Sequence, residues 1–356
     1  MMVLAGILLF ALLVVIHEFG HFIVARRNGV AVEEFGIGFP PKLFGKQIGE
    51  TEYTFNLIPL GGFVKLKGES DSATEPASFG AAALWVKTKI LLAGVGMNIV
   101  AAVVIMLLLA LSGLPQILPD QYRVASNQTL VEEAVVITRV GDESAAAAAG
   151  VEVGDRIERI NDTEIGSAEE LSAVTDRMSG QNVTLHLNRD GESLELATEL
   201  GTSETEGQLG VAPLDLSSSR YTWAAPLVAV GITLQMIGLV LLALWNILAG
   251  IFSGAGGAAA EQLTGPVGVI YLLQNLGDFG FEYLLFLLAS ISVSLAVFNA
   301  LPVPALDGGR LAVIAGARAL KRSLSPRLEN AIHGLGFILL IGVFIVTTYV
   351  DIQRIF

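Results

Sequence analysis

An unbroken apolar run from Val3 to Ala25 contains two histidines and a glutamate, in the order Ile16-His17-Glu18-Phe19-Gly20-His21. The run has no proline and is long enough to cross a bilayer, so it reads as a membrane helix. Residues four apart on a helix share a face. His17 and His21 therefore project their imidazoles together and offer two ligands to one metal. Glu18 lies beside the first of them, where it can take a proton from a water activated by the metal. HExxH also arises by chance on soluble helices, where it means only a polar face. At membrane depth the same residues are costly, and they are retained for function.

Composition supports the membrane setting. Of 356 residues, 53% are hydrophobic and 15% charged, and the mean hydropathy is +0.65. An ordinary soluble domain does not reach such values, so the chain reads as a polytopic α-helical membrane protein in contact with the lipid bilayer. It has no cysteine. That excludes disulfides, a thiolate zinc site and a cysteine nucleophile, and leaves His, Asp and Glu to hold any metal. The net charge is −13, and 20 of the 34 acidic residues fall between Leu114 and Thr222, against seven Lys or Arg there. No basic surface suited to nucleic acid is present, and the acidity hints at a high-salt organism. The first run lacks a basic n-region and carries the metal-binding histidines, so it is expected to be a retained helix and not a removable signal peptide.

Four runs are expected to span the membrane: Val3 to Ala25, Ile90 to Leu114, Tyr283 to Ala300 and Ala331 to Val350. Arg26, Arg27, Lys42, Lys46, Lys65, Lys67, Lys87 and Lys89 lie between the first two, which places that loop in the cytoplasm. The basic residues Arg310, Arg318, Lys321, Arg322 and Arg327 place the loop between the last two there as well. For both loops to be cytoplasmic, the further apolar stretch Ala224 to Phe252 must make no net crossing. It is expected to be an amphipathic or re-entrant helix on the outer leaflet, with a five-span arrangement as the alternative. The implied division is an N-terminal membrane part at 1–114, an extracytoplasmic insert at 125–215, the helical segment 223–277 and a C-terminal membrane part at 281–356.

Within the first cytoplasmic loop, the stretch from Tyr53 to Lys67 reads as two short strands around a Pro59 to Gly62 turn. It is too apolar for a free loop. A membrane-associated β-hairpin with an exposed edge can pair with an unwound substrate, and Phe55, Leu57, Gly61 and Gly62 are the candidate clamp residues. The insert is different in character, with alternating strands, a helix-like stretch from Ala168 to Met178 and a strand from Val183 to Asn188. Its segment Ala149-Gly-Val-Glu-Val-Gly-Asp-Arg-Ile-Glu-Arg-Ile-Asn161 resembles that of a PDZ domain, a small α+β fold that binds extended peptides. The resemblance makes Gln208, Leu209, Gly210 and Val211 the candidate peptide loop. His186 alternates with Val183, Leu185 and Leu187 and is expected on the outer face, and His333 is expected at the membrane interface. Three Asn-x-Thr sequons start at Asn127, Asn161 and Asn182.

A catalytic zinc takes three protein ligands, commonly two histidines and a carboxylate. The third candidate is Asp307, in Asn299-Ala-Leu-Pro-Val-Pro-Ala-Leu-Asp-Gly-Gly-Arg310, where Pro302 and Pro304 break the third run on the same side of the membrane as the histidines. HEFGH and NALPVPALDGG, in that order with a PDZ-like domain between, resemble the site-2 protease family of intramembrane zinc metalloproteases, most closely the regulator-of-sigma-E type. Further similarity lies in EFGIGFPPKLFG, NLIPLGGFVKL, AGVGMN and LTGPVGVI. The resemblance implies one Zn2+ per chain held by His17, His21 and Asp307, with Glu18 as base, and Asn98 and Asn299 as candidates for stabilising the oxyanion or holding substrate. It implies cleavage, within the cell membrane and towards the cytoplasmic side, of membrane-anchored regulators such as anti-sigma factors, or of signal-peptide remnants. A metal or proton transporter would also keep such residues in membrane helices, but no internal repeat of the transporter kind is evident. A membrane-tethered PDZ scaffold would need no intact HExxH.

Overall fold

The computed structural model describes residues 2–142, 144–189, 191–201, 209–253, 265, 267–271, 280–321 and 325–355. The chain forms two compact units, one of Met1–Leu107 with Ala229–Phe356, the other Leu108–Val228.

The first unit opens with α1 (Met2–Arg27), which Arg26 and Arg27 close in its last turn. β1 (Val32–Ile48) and β2 (Thr51–Leu66) follow, then α2 (Leu84–Ser112). Hydropathy starts the second span at Ile90, but the helix begins six residues earlier. Lys87, inside it, is fully buried against Asp71, so its charge is met by a partner and not by water. The sheet also departs from expectation. There is no separate hairpin in 53–67: β2 is continuous, and its partner is the preceding stretch, whose prolines and glycines disguise a strand. Residues 44–48 pair back on 51–55, while 34–37 have partners on both 62–65 and 52–55. The stretch 52–55 is thus flanked by strand on both sides, and 62–66 lies at an edge.

Five helices of the described residues are long and apolar enough to cross a membrane. α1 and α2 are two of them. A third, α5 (Ala225–Phe252), is the stretch expected to be amphipathic or re-entrant, and it is one continuous helix of 28 residues. Its exposed side carries Leu234, Leu241, Leu242 and Leu248, where an amphipathic helix would show a polar face. The parity argument had set the basic loops above apolar length, and α5 has the length. By length and composition there are thus five candidate spans among the described residues, one more than the four expected. α6 (Phe281–Ala300) ends before Pro302 and Pro304, α7 (Asp307–Ala319) restarts the helix, and α8 (Pro326–Ile355) follows. Phe22, Val32, Phe35, Leu66, Ile90 and Ile314 form a core that ties α1, the sheet, α2 and α7 together.

The second unit is a seven-stranded antiparallel sheet. Its strands are β3 (Leu114–Pro115), β4 (Thr129–Val140), β5 (Arg156–Ile160), β6 (Thr163–Glu164), β7 (Asn182–Arg189), β8 (Glu192–Glu199) and β9 (Val211–Arg220), with α3 (Ala145–Ala149) and α4 (Ala168–Arg177). The order is β3-β9-β4-β5-β7-β8, with β6 on β5. The period-two pattern holds: Val183, Leu185 and Leu187 are buried, while His186 lies on the other face near Glu195. Arg189 ties β7 to the turn before β5, bonding both carboxylate oxygens of the buried Asp155 at 2.6 and 2.8 Å. Two of the sequon asparagines are used by the fold: Asn127 Oδ1 accepts from the backbone N–H of Thr222 and Ala224, and Asn161 Oδ1 accepts from the backbone N–H of Thr184.

Candidate metal centre

α1 places His17 and His21 one turn apart, both buried, with ring centroids 4.8 Å apart and nearly perpendicular planes. Asp307 arrives from 290 residues away as the first residue of α7. The three donors make a compact triangle: His17 Nε2 to Asp307 Oδ2 3.1 Å, His17 Nε2 to His21 Nε2 3.1 Å, and His21 Nε2 to Asp307 Oδ2 3.3 Å. Bonds of ~2.0–2.1 Å at a tetrahedral angle separate donors by about 3.3 Å, so the triangle fits three ligands of one zinc. His21 Nδ1 lies 2.7 Å from the carbonyl of Ile90. That acceptor fixes the proton on Nδ1 and leaves the Nε2 lone pair to a metal. The fit rests on these donors, and among the described residues it is the grouping of His, Asp and Glu side chains suited to an ion.

The turn bearing Asp307 is held by close packing. A Cβ on Gly309 would meet the Val303 carbonyl at 1.9 Å, and one on Gly336 of α8 would meet the Pro304 carbonyl at 2.2 Å. His333 is not grouped with the three donors; its Nδ1 accepts from the Ala305 N–H at 3.1 Å and so steadies this turn. Arg310, one turn beyond Asp307, donates to the Glu69 carbonyl and lies over the ring of Phe79. Glu329 of α8 is buried and accepts from Ser70 and from the Asp71 N–H. The segment after β2 is thereby fastened to both α7 and α8.

Glu18 lines a cavity of about 140 Å³ with His21, Asp307, Val64, Glu69 and Arg310. A larger cavity of about 510 Å³ shares Asp307, Glu69 and Arg310 with it and extends to Glu329 and His333. Of the candidate clamp residues, Gly61 and Gly62 lie against α1, where their Cβ positions would meet Val14 and Val15. Phe55 and Leu57 do not join them. Phe55 lies in the flanked stretch of β2 and stacks on Phe44 at 5.3 Å, and Leu57 is exposed.

Asn98 is fully buried on α2 with its amide nitrogen 3.2 Å from His17 Nδ1. Asn299, in the last turn of α6, is half-buried and does not line the small cavity. Gly94 was not singled out by the HExxH and LDGG motifs, yet its backbone closes over the histidines. A Cβ there would stand 2.5 Å from His21 Nε2 and 2.6 Å from His17 Nε2. In the second unit, Leu209, Gly210 and Val211 line a pocket of about 110 Å³ with Leu171, Thr175 and Pro213, between α4 and β9. Gln208 lies outside the described residues.

The profile of peptidase family M50 matches residues 5–343. A protein of Clostridium perfringens, named as a candidate zinc metalloprotease, is 31% identical over 358 residues, which cover 99% of this chain and 98% of that one. One of the same description from a Nostoc species is 32% identical, over 96% of this chain and 93% of the relative. Zinc metalloprotease RasP of Shouchella clausii is 26% identical, over 99% of both chains. With two histidines, an adjacent glutamate and a distant aspartate gathered at one point, and a profile running almost from end to end, the chain belongs to peptidase family M50, the site-2 protease family.

Proposed function

We propose that this protein is an intramembrane zinc metalloendopeptidase that hydrolyses peptide bonds within transmembrane segments of membrane-anchored regulators or signal-peptide remnants. The observation that carries the reading is the donor triangle of His17, His21 and Asp307 with Glu18 on the wall of the same cavity. The names of its relatives support zinc as the ion and peptide hydrolysis as the reaction. Zinc, when bound, supplies Lewis-acid polarisation of the scissile carbonyl and acidifies water to a pKa of about 7. Glu18 takes the proton of the attacking water and delivers it to the leaving nitrogen. A substrate helix must unwind to be cut, and lipid cannot satisfy the peptide groups so exposed. The edge 62–66 of β2, whose Val64 and Leu66 line the same cavity, offers them backbone partners by strand addition.

Positive charge between α1 and α2 argues for a site towards the cytoplasm and a second unit, which follows α2, on the outside. That unit acts as a PDZ-like module, with the 209–211 pocket taking an extended peptide end. The test is cleavage of a single-span reporter helix in liposomes by wild type, by Glu18→Gln and by chelated enzyme. Cleavage by wild type alone, restored to the chelated sample by zinc, is expected. Equal metal binding by both forms with no cleavage of any reporter would refute proteolysis.

A further inference from the structure

α2 carries none of the three metal ligands, yet it touches both histidines. We infer that Gly94 and Asn98, one turn apart on α2, form a positioning platform that holds the two imidazoles in the metal-binding geometry. The inference rests on reading His17, His21 and Asp307 as the zinc ligands.

The approach of α1 to α2 is as close as backbones allow. A Cβ on Gly20 would lie 2.6 Å from the Ala93 carbonyl, so the helices meet at that level without a side chain between them. The next residue of α2 faces the site. Ordinary contacts between a carbon and a ring nitrogen are well above 3 Å, whereas a Cβ at 94 would stand 2.5–2.6 Å from both Nε2 atoms and from His17 Cε1. What it would strike is two ring edges packed on all sides, not the free end of a flexible chain. A methyl group at 94 therefore pushes the rings out of the triangle or takes the space beside their lone pairs. Gly96, two residues on, has nothing within 4 Å of its Cβ position, so the requirement belongs to 94 and not to the glycine content of α2.

Asn98 acts on the other nitrogen of His17. A neutral imidazole that gives its Nε2 lone pair to a metal keeps its proton on Nδ1 and needs an acceptor there. The Asn98 amide is the group in place, 3.2 Å away. Its nitrogen and oxygen are interchangeable by a half-turn of the amide, and one of them is buried without a partner whichever way it lies. Hydrogen-bond satisfaction thus does not select the orientation. Metal ligation does: Oδ1 faces His17 Nδ1–H and accepts from it. The backbone of Asn98 is itself pinned, because Ser292 of α6 donates its hydroxyl to the Asn98 carbonyl at 2.9 Å. Ile90 serves His21 in the same way through its carbonyl. Residues 90, 94 and 98 then form one stripe along α2, supplying an acceptor, a space and an acceptor.

The experiment is zinc content by atomic emission and zinc affinity by chelator competition on full-length protein in detergent, with helicity checked by circular dichroism. Gly94→Ala is expected to lose bound zinc while Gly96→Ala keeps the wild-type amount. Asn98→Leu is expected to bind zinc about 10–100-fold more weakly, the usual loss when the outer partner of a metal-binding histidine is removed. Asn98→Asp, which still presents an acceptor, is expected to restore the affinity. Full zinc occupancy at wild-type affinity in Gly94→Ala would overturn the role of Gly94. An Asn98→Leu that loses turnover with unchanged zinc affinity would overturn the role of Asn98 and return it to substrate or oxyanion binding. If Gly94→Ala does not fold, the three Asn98 and Gly96 variants decide alone. A wild-type protein that takes up no zinc would instead refute the zinc reading itself.

Discussion

Replacing Asp71 by alanine removes the carboxylate that meets Lys87, whose side chain is 0% exposed. The ammonium would keep the Gly80 carbonyl at 2.8 Å and the face of Phe79 at 5.4 Å, but no counter-charge in contact. Stranding one member of a buried pair costs about 3–5 kcal/mol. At roughly 2–4 °C per kcal/mol for a unit of this size, Asp71→Ala should lower the midpoint of thermal unfolding by about 6–20 °C. Lys87→Met should be milder. The carboxylate it leaves behind is 12% exposed and retains Arg318 at 3.8 Å. Asp71→Ala with Lys87→Met should recover most of the loss, since an apolar replacement of a buried pair is often neutral. The assay is a melt in detergent followed by tryptophan fluorescence, with Trp223 and Trp245 replaced by phenylalanine so that Trp85, in the first turn of α2, reports alone. Asp71 belongs to the segment that carries Glu69 onto the wall of the cavity lined by Glu18, His21 and Asp307, so peptidase activity should fall with the melt. A melting point for Asp71→Ala within about 2 °C of wild type would refute the reasoning, as would simple additivity in the double variant.

Gly309→Ala should abolish zinc retention, because its Cβ would meet the Val303 carbonyl at 1.9 Å and force the Asp307 turn away from the histidines; metal analysis checks this. Asp351→Ala should lower the melting point by an amount equivalent to about 2–4 kcal/mol, since its buried carboxylate accepts from the N–H groups of Gly265 and Gly268, which would be left unsatisfied. Arg189→Lys should speed hydrogen exchange in β5 and β7 and leave zinc content unchanged. A lysine cannot reproduce the fork that grips Asp155 and also reaches the Gly150 carbonyl at 2.8 Å.

Much of the site is legible in the chain because helical periodicity is local. HEFGH inside an apolar run places two candidate ligands and a candidate base on one turn whatever surrounds it, and proline breaks at 302 and 304 locate the turn that frees Asp307. Long apolar runs and alternating strands were readable for the same reason. The remainder depended on who meets whom. Lys87 belongs to a helix and not to a loop because Asp71, 16 residues earlier, answers its charge. Phe55 is an interior strand residue and Gly62 an edge one because 34–37 passes between the two halves of β2, a pairing that no run of β2 alone encodes.

What the sequence by itself determined is the chemistry on offer: two imidazoles and a distant carboxylate as candidate ligands and a glutamate as candidate base, in a chain with no thiol to compete and enough apolar length to sit in lipid. What only the tertiary structure decided is the geometry that lets the chemistry occur. Bringing Asp307 to within 3.3 Å of two nitrogens some 290 residues away required the packing of α7 on α1. Gly94 and Asn98 matter for the same reason: a missing side chain and a half-turn of an amide have meaning only once another helix stands against them.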